Sequence, residues 1–340
     1  MSPRYSNPRE MVDGIRKRPA MYLGSKDLTA FQSYLSVGLD MMLYGGASWI
    51  EIEPGRSWSI RSDAKIHLET NSLGQLNFVE TSEVETIEER TAFGRPYEGA
   101  VLNALSAAFC LDVSFEGRRT LFQAKKGVRQ VFEQSVCSQL EPTVTLSVVP
   151  DSSIFSATEI SHRNLHSYFH RNACFFPGVT YRVIRGNAIQ EYKSERGLVE
   201  LFDSFAHPYH ILHEPLHVKG SVEKLNLEAV FAFHHSPVSQ IISFWKRDSV
   251  RLEMIPKGGT HLEGFLDAIQ EFQFKHRLFK GSVGILVIEH PYTQFLGAVR
   301  EEIGNSEFTS QVHELIAAGM EEWCEANPEE ARLLKLFPRS

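Results

Sequence analysis

The segment Ile15-Arg16-Lys17-Arg18-Pro19-Ala20-Met21-Tyr22-Leu23-Gly24 decides how this chain is read. It joins the end of a helix to a basic run and a proline. Asn7 can cap that helix, Pro8 suits its first turn, and Glu10 stands three residues after the cap. Four further segments carry information of the same kind. They are Val101-Leu102-Asn103-Ala104-Leu105-Ser106, Pro150-Asp151 with Ile154-Phe155, Gly258-Gly259-Thr260-His261-Leu262-Glu263-Gly264-Phe265, and Ile303-Gly304-Asn305-Ser306-Glu307. Each alone is a weak signal; all five in one order are a strong one.

Between these segments the periodicities alternate. Thr29–Tyr44 predicts a helix with Phe31, Leu35, Leu39 and Met42 on one face, closed by Gly45-Gly46. Strands are predicted at Trp49–Glu53 and Ser57–Arg61, joined by Pro54-Gly55. The Glu-rich stretch Asn71–Tyr97 reads as a loop or loose lid. A helix over Gly99–Phe109, a hairpin of Leu111–Glu116 with Thr120–Ala124, and a period-two strand at Thr143–Val149 follow. In the second half, strands are predicted at Val179–Val183, Ala229–Phe233 and Gln240–Trp245. Gly281–Glu289 is nearly all apolar, as a central strand would be. Helices are predicted over Arg196–Phe205, Leu262–Phe274 and Ser310–Ala326. The fold class is α/β with two domains, 1–206 and 207–340.

Composition sets outer bounds. The 340 residues are 42% apolar and 23% charged, with a formal net charge of −7. An acidic chain argues against a surface devoted to nucleic acid, so DNA contact is expected to be weak or indirect. Cys110, Cys137, Cys174 and Cys324 are far apart with no C-x-x-C pair, which suits reduced thiols in the cytoplasm. The N-terminus has no apolar core, and no run of eighteen apolar residues exists, so neither a signal peptide nor a membrane span is expected.

The five segments resemble the family formed by the B-subunits of DNA gyrase and topoisomerase IV. They match its VRKRPGMYIG, VVNALS, PD..IF, GGTHLEGF and LGNSE blocks in order and at similar spacing. The resemblance runs from about Pro8 to Leu336. It implies a Bergerat (GHKL) α/β sandwich followed by a smaller α/β transducer domain. No EGDSA, PLRGK or D-x-D block of the family's Toprim domain is found, so DNA cleavage by this chain is not expected.

The resemblance also implies what a working site would need: a Glu as general base, an Asn for Mg²⁺, an Asp for the adenine, and a glycine-rich phosphate loop. Aligning the predicted helix on Asp40 puts Ser33 at the base position and Val37 at the metal position. Serine cannot take a proton unaided at neutral pH, and valine offers no oxygen to a hard cation. The adenine turn becomes Ser62-Asp63-Ala64-Lys65-Ile66, where Ser62 takes the adenine position and Asp63 serves only with a one-residue shift. The phosphate loop becomes Ala92-Phe93-Gly94-Arg95-Pro96-Tyr97-Glu98, with Pro96 lacking an N–H. The transducer's Q-T-K turn becomes Ala298-Val299-Arg300. The relic positions are thus Ser62, Asp63, Lys65, Gly94, Thr143 and Arg300.

Other signals have plainer readings. His213-Glu214-Pro215-Leu216-His217 spells H-E-x-x-H, but Pro215 breaks the helix that pattern requires. His207, His210, His213 and His217 read as loop histidines, His234-His235 as a strand end, and no metal site is expected. Gly258, Gly259, Thr260 and His261 begin a helix whose retention suits packing or an interface. Tyr5 in a short N-terminal arm, with Arg16, Lys17 and Arg18, is the other interface candidate. The expected function is a gyrase-B-like pseudo-ATPase without cofactor. It would act through a protein partner such as a gyrase or topoisomerase IV subunit, or in another DNA-processing or defence assembly, with a homodimer also open. The alternative is a divergent ATPase that uses ATP and Mg²⁺ through residues outside the family pattern.

Overall fold

The computed structural model describes residues 8–23, 28–70, 74–76, 79, 98–139, 141–156, 162–247, 251–278, 280–297 and 301–335. The chain divides into two compact units, Met1–Ser194 and Glu195–Ser340. Leu198–Ala206 therefore belongs to the second unit, whereas the sequence alone suggests a boundary after residue 206. Its buried Leu198, Phe202 and Ala206 explain why: that helix packs on two strands of the second unit.

The first unit begins with helices α1 (Pro8–Lys17), α2 (Ala20–Leu23) and α3 (Leu28–Tyr44). Strands β1 (Trp49–Glu53) and β2 (Trp58–Ser62) follow, then helix α4 (Glu98–Leu105). Next come β3 (Ser106–Phe115), β4 (Arg118–Lys125), β5 (Val128–Val136) and β6 (Thr143–Pro150). Helix α5 (His162–Phe175) and strands β7 (Thr180–Arg185) and β8 (Ala188–Tyr192) complete the unit. The eight strands form one sheet in the order β5-β4-β3-β6-β2-β1-β7-β8, antiparallel except for β1 against β7.

Helix α4 is shorter than predicted. It gives way to β3 at Ser106, whose hydroxyl donates to the carbonyl of Leu102 at 2.5 Å while its backbone pairs with Pro150 of β6. The residues expected to extend the helix, Ala107 to Phe109, lie in the strand instead.

Three of the five segments meet beside this junction. Arg16 at the end of α1 donates from Nη2 to Asp151 Oδ2 at 2.5 Å and from Nη1 to the carbonyl of Ala104 at 2.7 Å. The Asp151 N–H donates to the carbonyl of Leu105, and Oδ1 accepts from the amide and hydroxyl of Ser153. Asp151 is buried and Arg16 largely so.

The second unit opens with α6 (Leu198–Ala206). Strands β9 (Leu216–Val222), β10 (Leu225–His234), β11 (Gln240–Arg247) and β12 (Arg251–Met254) precede helix α7 (Thr260–His276). Strand β13 (Gly281–Glu289), the short pair β14 (Phe295–Leu296) and β15 (Glu302–Ile303), and helices α8 (Glu307–Ala326) and α9 (Pro328–Lys335) end it. The main sheet runs β12-β11-β13-β10-β9, which places the apolar β13 at its centre as its composition predicts. Phe265 meets Phe231 edge-on at 5.2 Å, and Phe272 stacks on Phe233 at 6.0 Å, so aromatic contacts hold α7 on the sheet.

Here too two of the five segments pack on each other. Gly259, at φ 110°, bridges Ile303, and a β-carbon on it would run into the Ile303 backbone. A β-carbon on Gly264 would likewise strike the backbone of Thr309 in α8. Asn305 accepts from the Gln294 N–H at 2.6 Å and donates to Glu307 at 2.9 Å, which clamps the preceding loop to the start of α8.

The joint at Asp151 has a pH signature. Burial would raise its carboxyl, but the bonds from Arg16 and Ser153 outweigh burial and hold the pKa at about 2. Its folded pKa is therefore below its ordinary value, so its contribution is complete above about pH 4 and is lost as pH falls toward 2. Asp151→Asn is expected to cost about 2 kcal/mol at pH 7 and to flatten the loss of stability between pH 4 and 2. Urea unfolding at each pH checks this; an acid limb equally steep in the variant would contradict it.

Candidate functional site

The residues expected to define a nucleotide site lie on α3, at the end of β2 and on β6. Ser33 is half-buried, and its carbonyl accepts from the Ser36 hydroxyl at 2.8 Å. Val37 is buried, and Asp40 is buried close enough to Tyr181 to help raise that phenol, after the larger effect of burial. Tyr34, which no family motif marks, is the more telling residue. Its ring is buried edge-on to Phe155 at 5.2 Å, and its hydroxyl shares a hydrogen bond of 2.6 Å with Ser106. Burial drives its pKa well above the ordinary phenol value, so it stays neutral.

Helix α3 sits tight on the sheet. A β-carbon on Gly38 would lie 2.9 Å from Ile60 and 3.1 Å from Leu146. The space between Tyr34, Gly38, Trp58, Ile60, Leu102 and Leu146 is a void of about 10 Å³. Small-molecule pockets run to about 300–1,000 Å³, so this interface is filled by its own side chains.

The adenine turn is committed as well. Ser62 is fully buried, donates to Met42 Sδ at 3.0 Å and accepts from the Ala64 N–H at 3.3 Å. Asp63, the residue of the shifted alternative, accepts from the amides of Ser48 at 2.8 Å and Trp49 at 3.1 Å and from the Ser48 hydroxyl. Both its oxygens thus hold the start of β1. Lys65 is exposed. Thr143 points away from α3, because β6 buries the alternate residues Val144, Leu146 and Val148 and Val144 stands opposite Ser62. Thr143 is therefore no part of this interface, and Val144 takes the position beside Ser62. Tyr5, Gly94 and Arg300, with residues 92–97 of the phosphate loop, lie outside the described residues.

Ser33 carries no carboxylate and the Val37 side chain no oxygen, so neither supplies the group that the resemblance implies for its position. Between α3 and the sheet the described residues form an apolar interface that holds a neutral tyrosine–serine pair.

The interface candidates divide. Arg16 is consumed by Asp151 and Ala104, whereas Lys17 and Arg18 are exposed. Gly258 and Gly259 are buried against α7 and Ile303, and the Thr260 hydroxyl donates to the Ile303 carbonyl at 3.4 Å. His261 is fully buried, and neither ring nitrogen has a hydrogen-bond partner among the described residues. The H-E-x-x-H stretch is not helical, since His217 lies in β9, bonded to Glu228 at 2.9 Å. His213 uses both nitrogens: one donates to the Glu214 carbonyl at 2.7 Å and the other accepts from the Phe233 N–H at 2.9 Å. His207 and His210 are exposed.

No protein-family model matches the chain. It is 22% identical to the DNA gyrase B-subunit of Archaeoglobus fulgidus over 364 residues, covering 95% of this chain and 56% of that protein. The DNA gyrase B-subunit of Haloferax volcanii is 23% identical over 371 residues, with 95% and 56% covered. The DNA topoisomerase 4 B-subunit of Mycoplasma genitalium is 23% identical over 363 residues, again 95% and 56%. The chain thus spans about half the length of these relatives. Among solved structures, the gyrase B-subunit of Myxococcus xanthus superposes with a TM-score of 0.74 at 18% identity, covering 95% of this chain and 98% of that one. The 43K ATPase domain of Thermus thermophilus gyrase B, solved with an aminocoumarin, gives 0.75 at 18%, covering 96% and 92%. The fold is that of the gyrase B ATPase and transducer region, as the five segments imply. Among the described residues no helix is long and apolar enough to cross a membrane.

His261 supplies a test of the packed reading of the Gly258–Phe265 segment. Burial lowers its pKa to about 4. Its folded pKa lies below the ordinary 6.5, so below that pH the unfolded chain takes up a proton that the folded chain refuses, and stability falls from pH 6.5 toward 4. His261→Leu is expected to reduce that slope. Urea midpoints at pH 7, 6 and 5 decide the matter; an unchanged slope would show an accessible histidine.

Proposed function

We propose that this chain is a gyrase-B-like module that has given up the ATP reaction and acts through protein contacts. One observation carries the reading. The resemblance assigns the base and metal positions to Ser33 and Val37, and their helix is packed onto its sheet with a void of only about 10 Å³. A general base must be a group that can hold a proton near neutral pH, and Mg²⁺ needs oxygen donors. Neither is supplied by the positions that the resemblance singles out.

The partner we propose is a component of a gyrase or topoisomerase IV, since the chain is similar over 95% of its length to B-subunits of both. Without a γ-phosphate to close upon, the module would pair with such a partner in a way that does not depend on nucleotide. Pairing of that kind would regulate the true ATPase and not replace it. No cofactor is assigned to this role, and contact with DNA would be made by the partner.

Two measurements test this reading. In a steady-state assay with Mg²⁺, the purified chain is expected to show no ATP turnover above a blank. Millimolar non-hydrolysable ATP analogue with Mg²⁺ is expected to leave the melting temperature unchanged, because a ligand stabilises only what it binds. Turnover that Ser62→Trp abolishes, or a saturable upward shift of several degrees, would establish instead the divergent ATPase.

A further inference from the structure

The eight-stranded sheet has a second face, turned away from α3, and a hollow lies in it over β3. The strand registers place the residues around it. Cys110 of β3 stands between Gln123 of β4 and Ser147 of β6. Two residues back along β3, Ala108 stands opposite Val149 and, on continuing the β4 register, level with Lys125. These residues take the outer face because the alternate ones, Phe109, Leu111 and Phe122, are buried. Two irregularities frame the hollow. Ala107 is an extra residue of β3 against β6, and Gln130 an extra residue of β5 against β4. Bulges of this kind bend a strand and re-aim its side chains. The small side chains of Ala108 and Cys110 make the floor. Gln123, Lys125 and Gln130 wall one side, and Ser57, Ser147 and Val149 the other. The enclosed volume is about 230 Å³. A water molecule takes up about 30 Å³ and drug-sized pockets begin near 300 Å³, so the hollow suits a ligand of a few carbons.

We propose that this hollow binds a small organic monocarboxylate. Among the described residues that line it, Lys125 is the one cation and none is acidic. Lys125 has no carboxylate partner among the described residues. The nearest acid along β3, Asp112, is bonded to Arg119 at 2.6 and 2.9 Å. Burial raises the Cys110 thiol, which stays protonated and adds no negative charge. One positive charge matches one carboxylate, whereas a dianion would keep a charge uncompensated. The Ser57 and Ser147 hydroxyls have no protein partner among the described residues and are free to donate to the carboxylate oxygens. Ala108 and Val149 offer apolar surface to the carbon chain. Gln130 is a wall and not a donor, since its Nε2 already bonds the carbonyls of Val128 and Arg129 at 3.1 and 3.2 Å. The hollow lies on the face of the sheet opposite α3, so it stands apart from the nucleotide reading.

Cys110 on the floor supplies the readout. The intact chain at pH 8.5 is treated with iodoacetate, a small carboxylate, or with neutral iodoacetamide. In both, the thiolate sulfur forms the new S–C bond, iodide leaves, and the thiol proton goes to solvent. Peptide mass spectrometry gives the rate at Cys110 alone. The ratio of the iodoacetate rate to the iodoacetamide rate is expected to exceed that of N-acetylcysteine amide by about fivefold, the worth of one exposed charge pair. Lys125→Met is expected to return the ratio to the reference value. Lys126→Gln removes a neighbouring cation outside the lining and should leave the ratio unchanged; both lysines are exposed, so neither change disturbs the core. Millimolar propionate should slow labelling by iodoacetamide, and propionamide should not. A ratio equal to the reference would overturn the proposal, as would one that survives Lys125→Met or falls as far in Lys126→Gln. Equal protection by propionate and propionamide, or stronger protection by inorganic phosphate than by propionate, would overturn it too.

Discussion

The first unit depends on one ion pair between residues 135 positions apart. Arg16 reaches from the end of α1 to Asp151 just beyond β6, and on the way bonds the last turn of α4 through Ala104. A charge pair of this burial is stable only with good geometry and further hydrogen bonds, which Ser153 and the Leu105 carbonyl provide. Asn103 adds a bond to the Val79 carbonyl at 3.0 Å, and Ser106 ties α4 to Tyr34 of α3. Helices α1, α3 and α4 and the end of β6 are therefore positioned by one connected set of bonds. A gap at Arg16 or Asp151 would leave a buried charge and loosen all of them.

This explains which features the chain shares with gyrase B and which it does not. The shared segments are those that bond to one another: Arg16 to Asp151 and Ala104 in the first unit, and Gly259 to Ile303 in the second. Ser33, Val37 and Ser62 are the positions at which the resemblance implies nucleotide chemistry and this chain carries other residues. Their replacements are not gaps. Tyr34, Trp58 and Leu146 fill the space beneath α3, Ser62 bonds inward to Met42, and Asp63 holds the Ser48–Trp49 backbone.

Much of the fold is legible in the sequence because it rests on motifs and on strong periodicity. The apolar run Gly281–Glu289 has one structural solution, a central strand, and it is one. The edge strand β5 is not legible: Val128–Val136 exposes residues on both faces, so no alternation marks it. Helix α5 escapes notice because its histidines mask the spacing of Leu165, Phe169 and Ala173, a four-residue recurrence that could have revealed it. The end of α4 cannot be read from composition, since Ala107 and Ala108 suit a helix and only the bonding of Ser106 turns the chain into β3. In the site, register is the limit. A period-two strand presents alternate residues to opposite faces, so an offset of one places Thr143 where Val144 stands, and only the pairing with Ser62 resolves it.

If the five segments are joints of the fold, their members must be coupled energetically across the chain. The most direct measurement is a double-mutant cycle on Arg16→Met, Asp151→Asn and the pair, read by urea unfolding at pH 7. A coupling energy of about 1.5 kcal/mol or more is predicted, with the double variant less destabilised than the sum of the singles. Single effects that simply add, to within about 0.5 kcal/mol, would contradict a structural role for the two segments and return their retention to some other cause.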